Sequence, residues 1–340
     1  MHTPSRRRFL QYSLGAMAPL AGATFATRAL ASTPCVIIGS GPAGAAAALA
    51  LRAAAPGTPV TMVERDPRRL MARGETQSSP FHRPAPSVRH LDLQTAGVEL
   101  LLDEVATVDW SAGQVALLSG RRLDFERLVL ATGSAPRPEA IAGYDRRTPH
   151  LWPAAWGSAR EARRLTAQLA ALPPRGHVVL RLPADAAGAP EVAAARALVL
   201  ARYLARHKPS ARLTVLDAAK NSATARIVSA HRQPEDRMDW FGPGAGGSVR
   251  AIDAPRGLIE TDAGALRADA VNFVVPQRAA DVARNAGLVD SSGWCPCEPD
   301  GRSVLNPAAI VLGDARKSAR RTLADAVAQG QTAARAILAA

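Results

Sequence analysis

The feature that most constrains the fold is a glycine-rich loop between a short apolar run and an alanine-rich stretch. The apolar run covers 35–38, the alanine-rich stretch extends to about Ala55, and the loop between them reads Gly39-Ser40-Gly41-Pro42-Ala43-Gly44. A second apolar run, 60–63, ends in Glu64. A strand, a Gly-x-Gly-x-x-Gly loop, a helix and a strand that ends in an acid form the βαβ unit that binds dinucleotides.

Each residue type in this unit suits a phosphate-binding turn. Gly39 permits a tight turn, Gly41 lets the backbone approach a pyrophosphate, and Gly44 allows close helix–strand packing. Pro42 is tolerated in the first helical turn, where its missing N–H costs nothing. We expect Glu64 to accept hydrogen bonds from a ribose, which disfavours a 2′-phosphorylated nucleotide.

The N-terminus predicts export. Three arginines, Arg6 to Arg8, precede Phe9-Leu10, a mildly apolar stretch and Ala29-Leu30-Ala31. This is the order of a signal peptide, and the paired arginines resemble the twin-arginine type. Residues 1–31 are therefore expected to be removed, and the periplasm is the predicted destination. Beyond them we expect no membrane span, because no apolar run is long enough.

A net charge of +13 does not indicate nucleic-acid binding here. The excess is arginine spread along the chain, and no basic stretch contains interleaved aromatic residues or a recognised binding signature. A basic surface fits an acidic protein partner instead.

Two later segments favour FAD over NAD as the ligand of the first unit. Residues 128–134 form an apolar run that ends in Ala131-Thr132-Gly133, and 310–315 form another that ends in Gly313-Asp314. Both resemble the FAD signatures of flavoproteins with two dinucleotide-binding domains. The resemblance implies that Asp314 meets the ribityl chain, that Thr132 and Gly133 lie at the domain crossover, and that 105–117 forms a small β-meander.

A second βαβ unit has lost its glycines. Apolar runs at 177–182 and 213–216 flank a helix predicted over 191–206, but the loop 183–190 contains a single glycine. Pro183 and Pro190 remove N–H groups that would face a phosphate, and Asp185 would repel one. We therefore predict that this unit does not bind NAD(P)H.

Several stretches are similar to the flavoprotein subunit of flavocytochrome c sulfide dehydrogenase. They are 148–152, 203–209, 268–279 and the Gly293-Trp294-Cys295-Pro296 segment. The resemblance implies oxidation of sulfide through a redox-active disulfide beside the flavin, with electrons passed to a c-type cytochrome. It makes Cys295 a catalytic candidate.

The chain departs from that family in several respects. The loop after Leu182 lacks the partner cysteine, and 66–90 lacks the cysteine that would attach the flavin, so non-covalent FAD is expected. The segment 316–321 is short and basic, and the family's C-terminal interface domain is not found before Ala340. Cys297 then becomes the alternative redox partner of Cys295, in a strained Cys-x-Cys ring. No metal site is expected, because two sulfurs without a nearby histidine do not complete one.

We therefore predict an α/β fold with two Rossmann-like domains of the glutathione reductase type. The FAD domain is discontinuous, 33–147 and 258–340, and the second domain covers 148–257. The predicted activity is that of an exported FAD-dependent oxidoreductase acting on sulfide or a related sulfur compound. Two alternatives are a flavoprotein oxidoreductase with another electron donor and a FAD-binding relative that has lost catalysis.

Overall fold

A computed structural model describes residues 34–67, 90–155, 159–184 and 189–339. The predicted signal peptide, most of segment 66–90 and residues 185–188 of the second loop lie outside the described residues.

The described residues form short strands that alternate with helices. In chain order the strands are β1 (Cys35–Ile38), β2 (Val60–Glu64), β3 (Val98–Leu102), β4 (Val105–Asp109), β5 (Gln114–Leu117), β6 (Arg122–Asp124), β7 (Arg127–Leu130), β8 (Ser134–Pro136), β9 (His177–Leu182), β10 (Arg212–Asp217), β11 (Asp239–Phe241), β12 (Val249–Asp253), β13 (Leu258–Thr261), β14 (Gly264–Arg267), β15 (Ala270–Phe273), β16 (Gln277–Ala279) and β17 (Ala309–Val311). The helices are α1 (Pro42–Ala54), α2 (His90–Thr95), α3 (Thr148–Leu151), α4 (Ala159–Ala170), α5 (Pro190–His207), α6 (Ala223–His231), α7 (Asp281–Asn285) and α8 (Leu323–Ala339), and 3-10 turns cover Pro138–Ala140 and Gly313–Ala315.

The first sheet is parallel, in the order β17-β7-β1-β2-β3. Alternate residues of β1 point to opposite faces, as strand geometry requires. Cys35 and Ile37 pack with α1 and α8, whereas Val36 and Ile38 pack with the β4-β5-β6 meander. Burial on both faces explains why these strands read as continuous apolar runs. The predicted meander at 105–117 is confirmed and continues to Asp124.

The second sheet is also parallel, in the order β11-β10-β9-β15. Our expectation that the chain returns to the first sheet at 258 is not met, because β15 pairs with β9. The antiparallel meander β12-β13-β14 precedes β15 and packs Ile252 and Ile259 against the second sheet. The return therefore comes after Phe273. The hydrophobic periodicity of 258–273 does not predict which sheet these strands join, since short amphipathic strands fit either sheet.

A two-stranded antiparallel ribbon carries both crossings between the sheets. The chain passes through β8 as it leaves the first sheet for the second, and through β16 as it returns to the first. The linker after α3 is held at the second sheet by Asn272, whose buried amide donates to the carbonyls of Pro153 at 2.9 Å and Ala154 at 2.6 Å.

Helices α1 and α8 pack at unusually short distance on the first sheet. A Cβ atom added at Gly330 would lie 2.3 Å from the Ala43 carbonyl oxygen and 2.8 Å from the Ala46 Cβ. Small side chains on both helices, including Ala47 and Ala333, are almost fully buried in this contact. Because real Cβ contacts are not this short, only glycine fits at 330.

Replacing Gly330 tests this contact directly. Gly330→Ala is expected to lower the free energy of unfolding by about 1–3 kcal/mol, because overpacking forces the helices apart. Chemical denaturation followed by circular dichroism measures the change. Gly57→Ala is the matched control, since its Cβ would meet nothing within 4 Å. Equal stability of the two variants would contradict the proposed close packing.

Candidate functional site

The predicted phosphate loop has the geometry of a tight cradle. Gly39 adopts a φ of +102°, and a Cβ there would lie 2.5 Å from the Ala131 carbonyl oxygen. A Cβ at Gly44 would lie 2.0 Å from the Gly39 carbonyl oxygen. Pro42 opens α1, and Gly41, its N-cap, offers no side chain to the first amides. A helix N-terminus without a side-chain cap is suited to an anion.

Glu64 braces this loop from the end of β2. Its buried carboxylate accepts hydrogen bonds from the Ser40 backbone N–H and hydroxyl, both at 2.8 Å, and from the Asp66 backbone N–H at 2.9 Å. The sequence predicted a ribose as the hydrogen-bond partner of Glu64 and did not predict its contact with Ser40. The ribose contact stays a prediction, and the bracing of the loop is an additional role.

The two later motifs meet the phosphate loop at the carboxyl edge of the first sheet. Strands β17, β7 and β1 are neighbours, so their following turns lie side by side. A Cβ added at Gly313 would lie 3.1 Å from the Ala43 Cβ. The structure therefore brings Gly39 to Gly44, Thr132, Gly133 and the half-buried Asp314 together. Ligands of parallel α/β sheets bind at this edge.

Thr132 and the glycines fit a bound dinucleotide. The Thr132 hydroxyl oxygen is buried and has no hydrogen-bond partner among the described residues. Gly133 follows with a φ of +70°, and a Cβ there would meet nothing within 4 Å. Buried hydroxyls are normally hydrogen-bonded. An orphaned hydroxyl beside an open glycine and a phosphate cradle is consistent with FAD as the missing partner.

Cys295 lies close to this edge but is packed as a core residue, and the partly buried Cys297 packs against the same cluster. Both are free thiols, and Cys295 is fully buried against residues of the first sheet. The Cys297 thiol donates to the Cys295 carbonyl oxygen at 3.4 Å. Burial raises the pKa of Cys295 to about 12 and that of Cys297 to about 11, although Arg316 opposes the second shift.

These pKa values keep both thiols protonated at neutral pH. The thiolate is the nucleophile in sulfur chemistry, so neither environment resembles that of a reactive cysteine. The catalytic role of Cys295 and Cys297 stays a prediction from resemblance. The geometry of the described residues gives them a structural role instead.

The Trp-Cys-Pro segment holds the basic loop 316–321 that connects Asp314 to α8. The Cys295 N–H donates to the Ala315 carbonyl at 3.0 Å, and its carbonyl accepts from the Lys317 N–H at 2.8 Å. The Lys317 ammonium donates to Asp290 at 2.8 Å, and this bond together with those from the Ser292 hydroxyl and N–H lowers the pKa of that carboxyl to about 2. The Arg321 guanidinium stacks 3.6 Å above the Trp294 ring. The loop is thereby held in one conformation.

Sequence reasoning missed the fixed positions of Arg316 and Gln329. Arg316 is buried and donates to the Glu298 carbonyl at 2.9 Å, and Gln329 on α8 accepts from the Gly313 N–H at 2.8 Å. The basic run at 316–321 could have drawn attention to Arg316, whereas no sequence pattern indicates a role for Gln329.

The second βαβ unit fills its own ligand-facing edge. Asp217 ends β10 as a buried residue and accepts from the Ala219 N–H at 3.0 Å. The stretch 243–247 packs closely here, since a Cβ at Gly247 would lie 2.5 Å from the Asp217 carbonyl oxygen.

Asp262 fixes this stretch further. Its carboxylate accepts from the backbone N–H groups of Gly244, of Gly246 at 3.0 Å and of Ser248 at 3.3 Å. These bonds, the one from Gly244 above all, lower the pKa of the carboxyl. The N–H groups of this stretch after β11 thus already bind a carboxylate of the chain itself.

Comparisons with known families agree with this architecture. Residues 33–172 match the family model described as pyridine nucleotide-disulphide oxidoreductase. Residues 162–276 match that of the sulfide dehydrogenase (flavocytochrome c) flavoprotein chain, central. The two matches overlap at 162–172 and together span residues 33–276.

Solved structures show the same fold at low identity. The sulfide:quinone oxidoreductase of Aquifex aeolicus is 15% identical, with 90% of this chain and 76% of that chain covered and a TM-score of 0.64. The NAD-dependent persulfide reductase of A. fulgidus is 18% identical, with 89% of this chain and 58% of that chain covered and a TM-score of 0.66. Lactococcus lactis thioredoxin reductase is 15% identical, with 90% of this chain and 98% of that chain covered and a TM-score of 0.60. The predicted fold class is confirmed.

No helix among the described residues has the length and apolar character needed to cross a membrane. Within the same ranges, no group of three or more His, Cys, Asp or Glu residues is placed to hold a metal ion.

The structural role of Cys295 can be tested by stability. Cys295→Ser places a hydroxyl among apolar side chains and is expected to cost about 1–3 kcal/mol of unfolding free energy, because a buried unpaired donor loses its hydration. Cys297→Ser is the matched control, since this residue is only partly buried, and we expect it to cost less than about 1 kcal/mol. Denaturant titration with urea measures both. A Cys295→Ser variant as stable as the wild type would contradict the assignment to the core.

Proposed function

We propose that this chain is an exported FAD-dependent oxidoreductase that oxidises sulfide or a related sulfur compound and passes the electrons to a c-type cytochrome. The observation that carries the proposal is the convergence of the Gly39 to Gly44 cradle, Thr132 and the Gly313-Asp314 turn at one sheet edge. The central-domain match and the two sulfur-related structural neighbours support the substrate class.

The chain's own residues account for binding of the cofactor. The first turn of α1 would meet the pyrophosphate, with Glu64 holding the loop, and Asp314 would accept a hydrogen bond from the ribityl hydroxyls. The Thr132 hydroxyl would gain the partner it lacks. Bound FAD supplies a two-electron acceptor. No cysteine lies among residues 66–90, so the attachment is non-covalent.

The proposed reaction balances as a two-electron oxidation. Hydrosulfide loses two electrons and one proton and becomes zero-valent sulfur, and two haem irons of the cytochrome are each reduced by one electron. In this scheme the second βαβ unit binds no nicotinamide nucleotide, because its loop 183–190 contains a single glycine and two prolines that lack N–H groups. Export to the periplasm is consistent with a c-type cytochrome as partner.

The burial of Cys295 and Cys297 favours a second candidate. A FAD-binding oxidoreductase that takes electrons from another donor, or a FAD-binding relative without catalysis, needs no reactive thiol. The protonated thiols of the structure fit either version.

A visible absorption spectrum tests the proposal. The purified protein is expected to show a flavin spectrum that bleaches on anaerobic addition of sulfide, and to show little bleaching with NADH. A flavin that sulfide does not reduce would favour another donor or a non-catalytic relative. A protein without flavin, even after incubation with FAD, would overturn the proposal.

A matched pair of variants serves as the control. Gly44→Val is expected to lose the flavin, because its Cβ would lie 2.0 Å from the Gly39 carbonyl oxygen, whereas Gly57→Val meets open space and should retain it.

A further inference from the structure

Gln329 connects the predicted cofactor turn to the basic loop by three hydrogen bonds. Its side-chain carbonyl accepts from the Gly313 N–H at 2.8 Å and from the Arg316 guanidinium at 3.4 Å. Its amide donates to Asp325 at 2.7 Å. One half-buried side chain thus contacts the turn, the loop and the first turn of its own helix.

The Gly313 N–H depends on this side chain. The ladder between β17 and β7 ends at Val311, and the next amide, that of Leu312, donates to the Leu130 carbonyl at 2.9 Å. Gly313 follows in the left-handed region with a φ of +71°, and because β17 is the edge strand of its sheet, the Gly313 N–H donates to Gln329 rather than to a neighbouring strand. An amide in this place needs an acceptor, and Gln329 supplies it. The direction of the next residue, Asp314, follows from this turn.

Asp325 extends the connection to the start of α8. The carboxylate oxygen that accepts from Gln329 also accepts from the Arg320 N–H at 3.1 Å. Its own N–H donates to the Thr322 hydroxyl at 3.1 Å, which completes a local cap. A continuous series of bonds therefore runs from Gly313 through Gln329 and Asp325 to Arg320.

We propose that Gln329 is a positioning residue for the flavin site, one that holds the Gly313-Asp314 turn in register with the basic loop through Asp325. The inference rests on the proposed function, because it assigns to the turn the role of meeting the ribityl chain. It goes beyond that function in naming a residue which need not touch the cofactor.

The first test removes the hydrogen bonds of Gln329. Gln329→Leu keeps the size of the side chain but neither accepts from Gly313 nor donates to Asp325. We expect the Kd for FAD, measured by fluorescence titration of the apoprotein, to rise at least about tenfold, which corresponds to about 1.4 kcal/mol. The matched control is Thr332→Ala on the same helix, whose hydroxyl, among the described residues, donates to the backbone carbonyls of Ala328 and Gln329. A Kd equal to that of the control would overturn the inference.

A pair of charge changes distinguishes positioning from general stability. Gln329→Glu keeps an acceptor for Gly313 but sets a second carboxylate against Asp325, so FAD binding should weaken. Adding Asp325→Asn restores a donor between the two side chains. The double variant should bind FAD within about threefold of wild type, because the two sites share one hydrogen bond and are coupled.

The Kd for FAD is also measured for Asp325→Asn alone. Circular dichroism of each apoprotein checks that the variants are folded. Double-variant affinity no better than that of Gln329→Glu would count against the bond series. A wild-type protein that takes up no FAD would overturn the proposed function and this inference together. A wild type that binds FAD beside unaffected Gln329 variants would overturn the inference alone.

Discussion

The close contact between α1 and α8 is the constraint on which the candidate site depends. Gly330 lets α8 reach the carbonyl of Ala43, which lies within the phosphate loop itself. That contact places the last helix, and the Gly313 turn that leads to it, beside the first helical turn. A larger side chain at the crossing would separate two motifs that are far apart in sequence, and dispersion contacts in such an interface fall off steeply with distance.

Around this contact, the segment after Asp314 is held from two sides. On the meander side, Cys295 bonds to Ala315, Asp290 pairs with Lys317, and the Trp294 ring stacks with Arg321. On the helix side, Gln329 accepts a hydrogen bond from the Gly313 N–H, just before this segment. The Lys317–Asp290 bond joins two charged groups, and such hydrogen bonds are stronger than neutral ones. A rigid turn is what a cofactor-binding site requires, since binding then costs little ordering.

The second βαβ unit keeps a nucleotide-type arrangement although its loop 183–190 contains a single glycine. Its parallel sheet and the helix at Pro190–His207 are present, while Asp262 binds the N–H groups of Gly246 and Ser248 and Gly247 packs against Asp217. Folding depends on the buried strand and helix faces, which retain their apolar residues. Binding depends on a few loop residues, so the two properties separate readily.

The order of residues along the chain is enough to predict the βαβ unit at 35–64, the meander that starts at Val105, the turns after β7 and β17, and the loss of the glycine loop in the second unit. These features are local, because a strand, a turn or a helix start depends on residues that are neighbours in the chain. No local pattern predicts that β15 joins the second sheet, that Cys295 is buried, that Glu64 accepts from Ser40, or that Gln329 accepts from Gly313. Each of these depends on a contact between residues well separated in sequence, and a side chain's burial or hydrogen-bond partner is set by what packs against it rather than by its type.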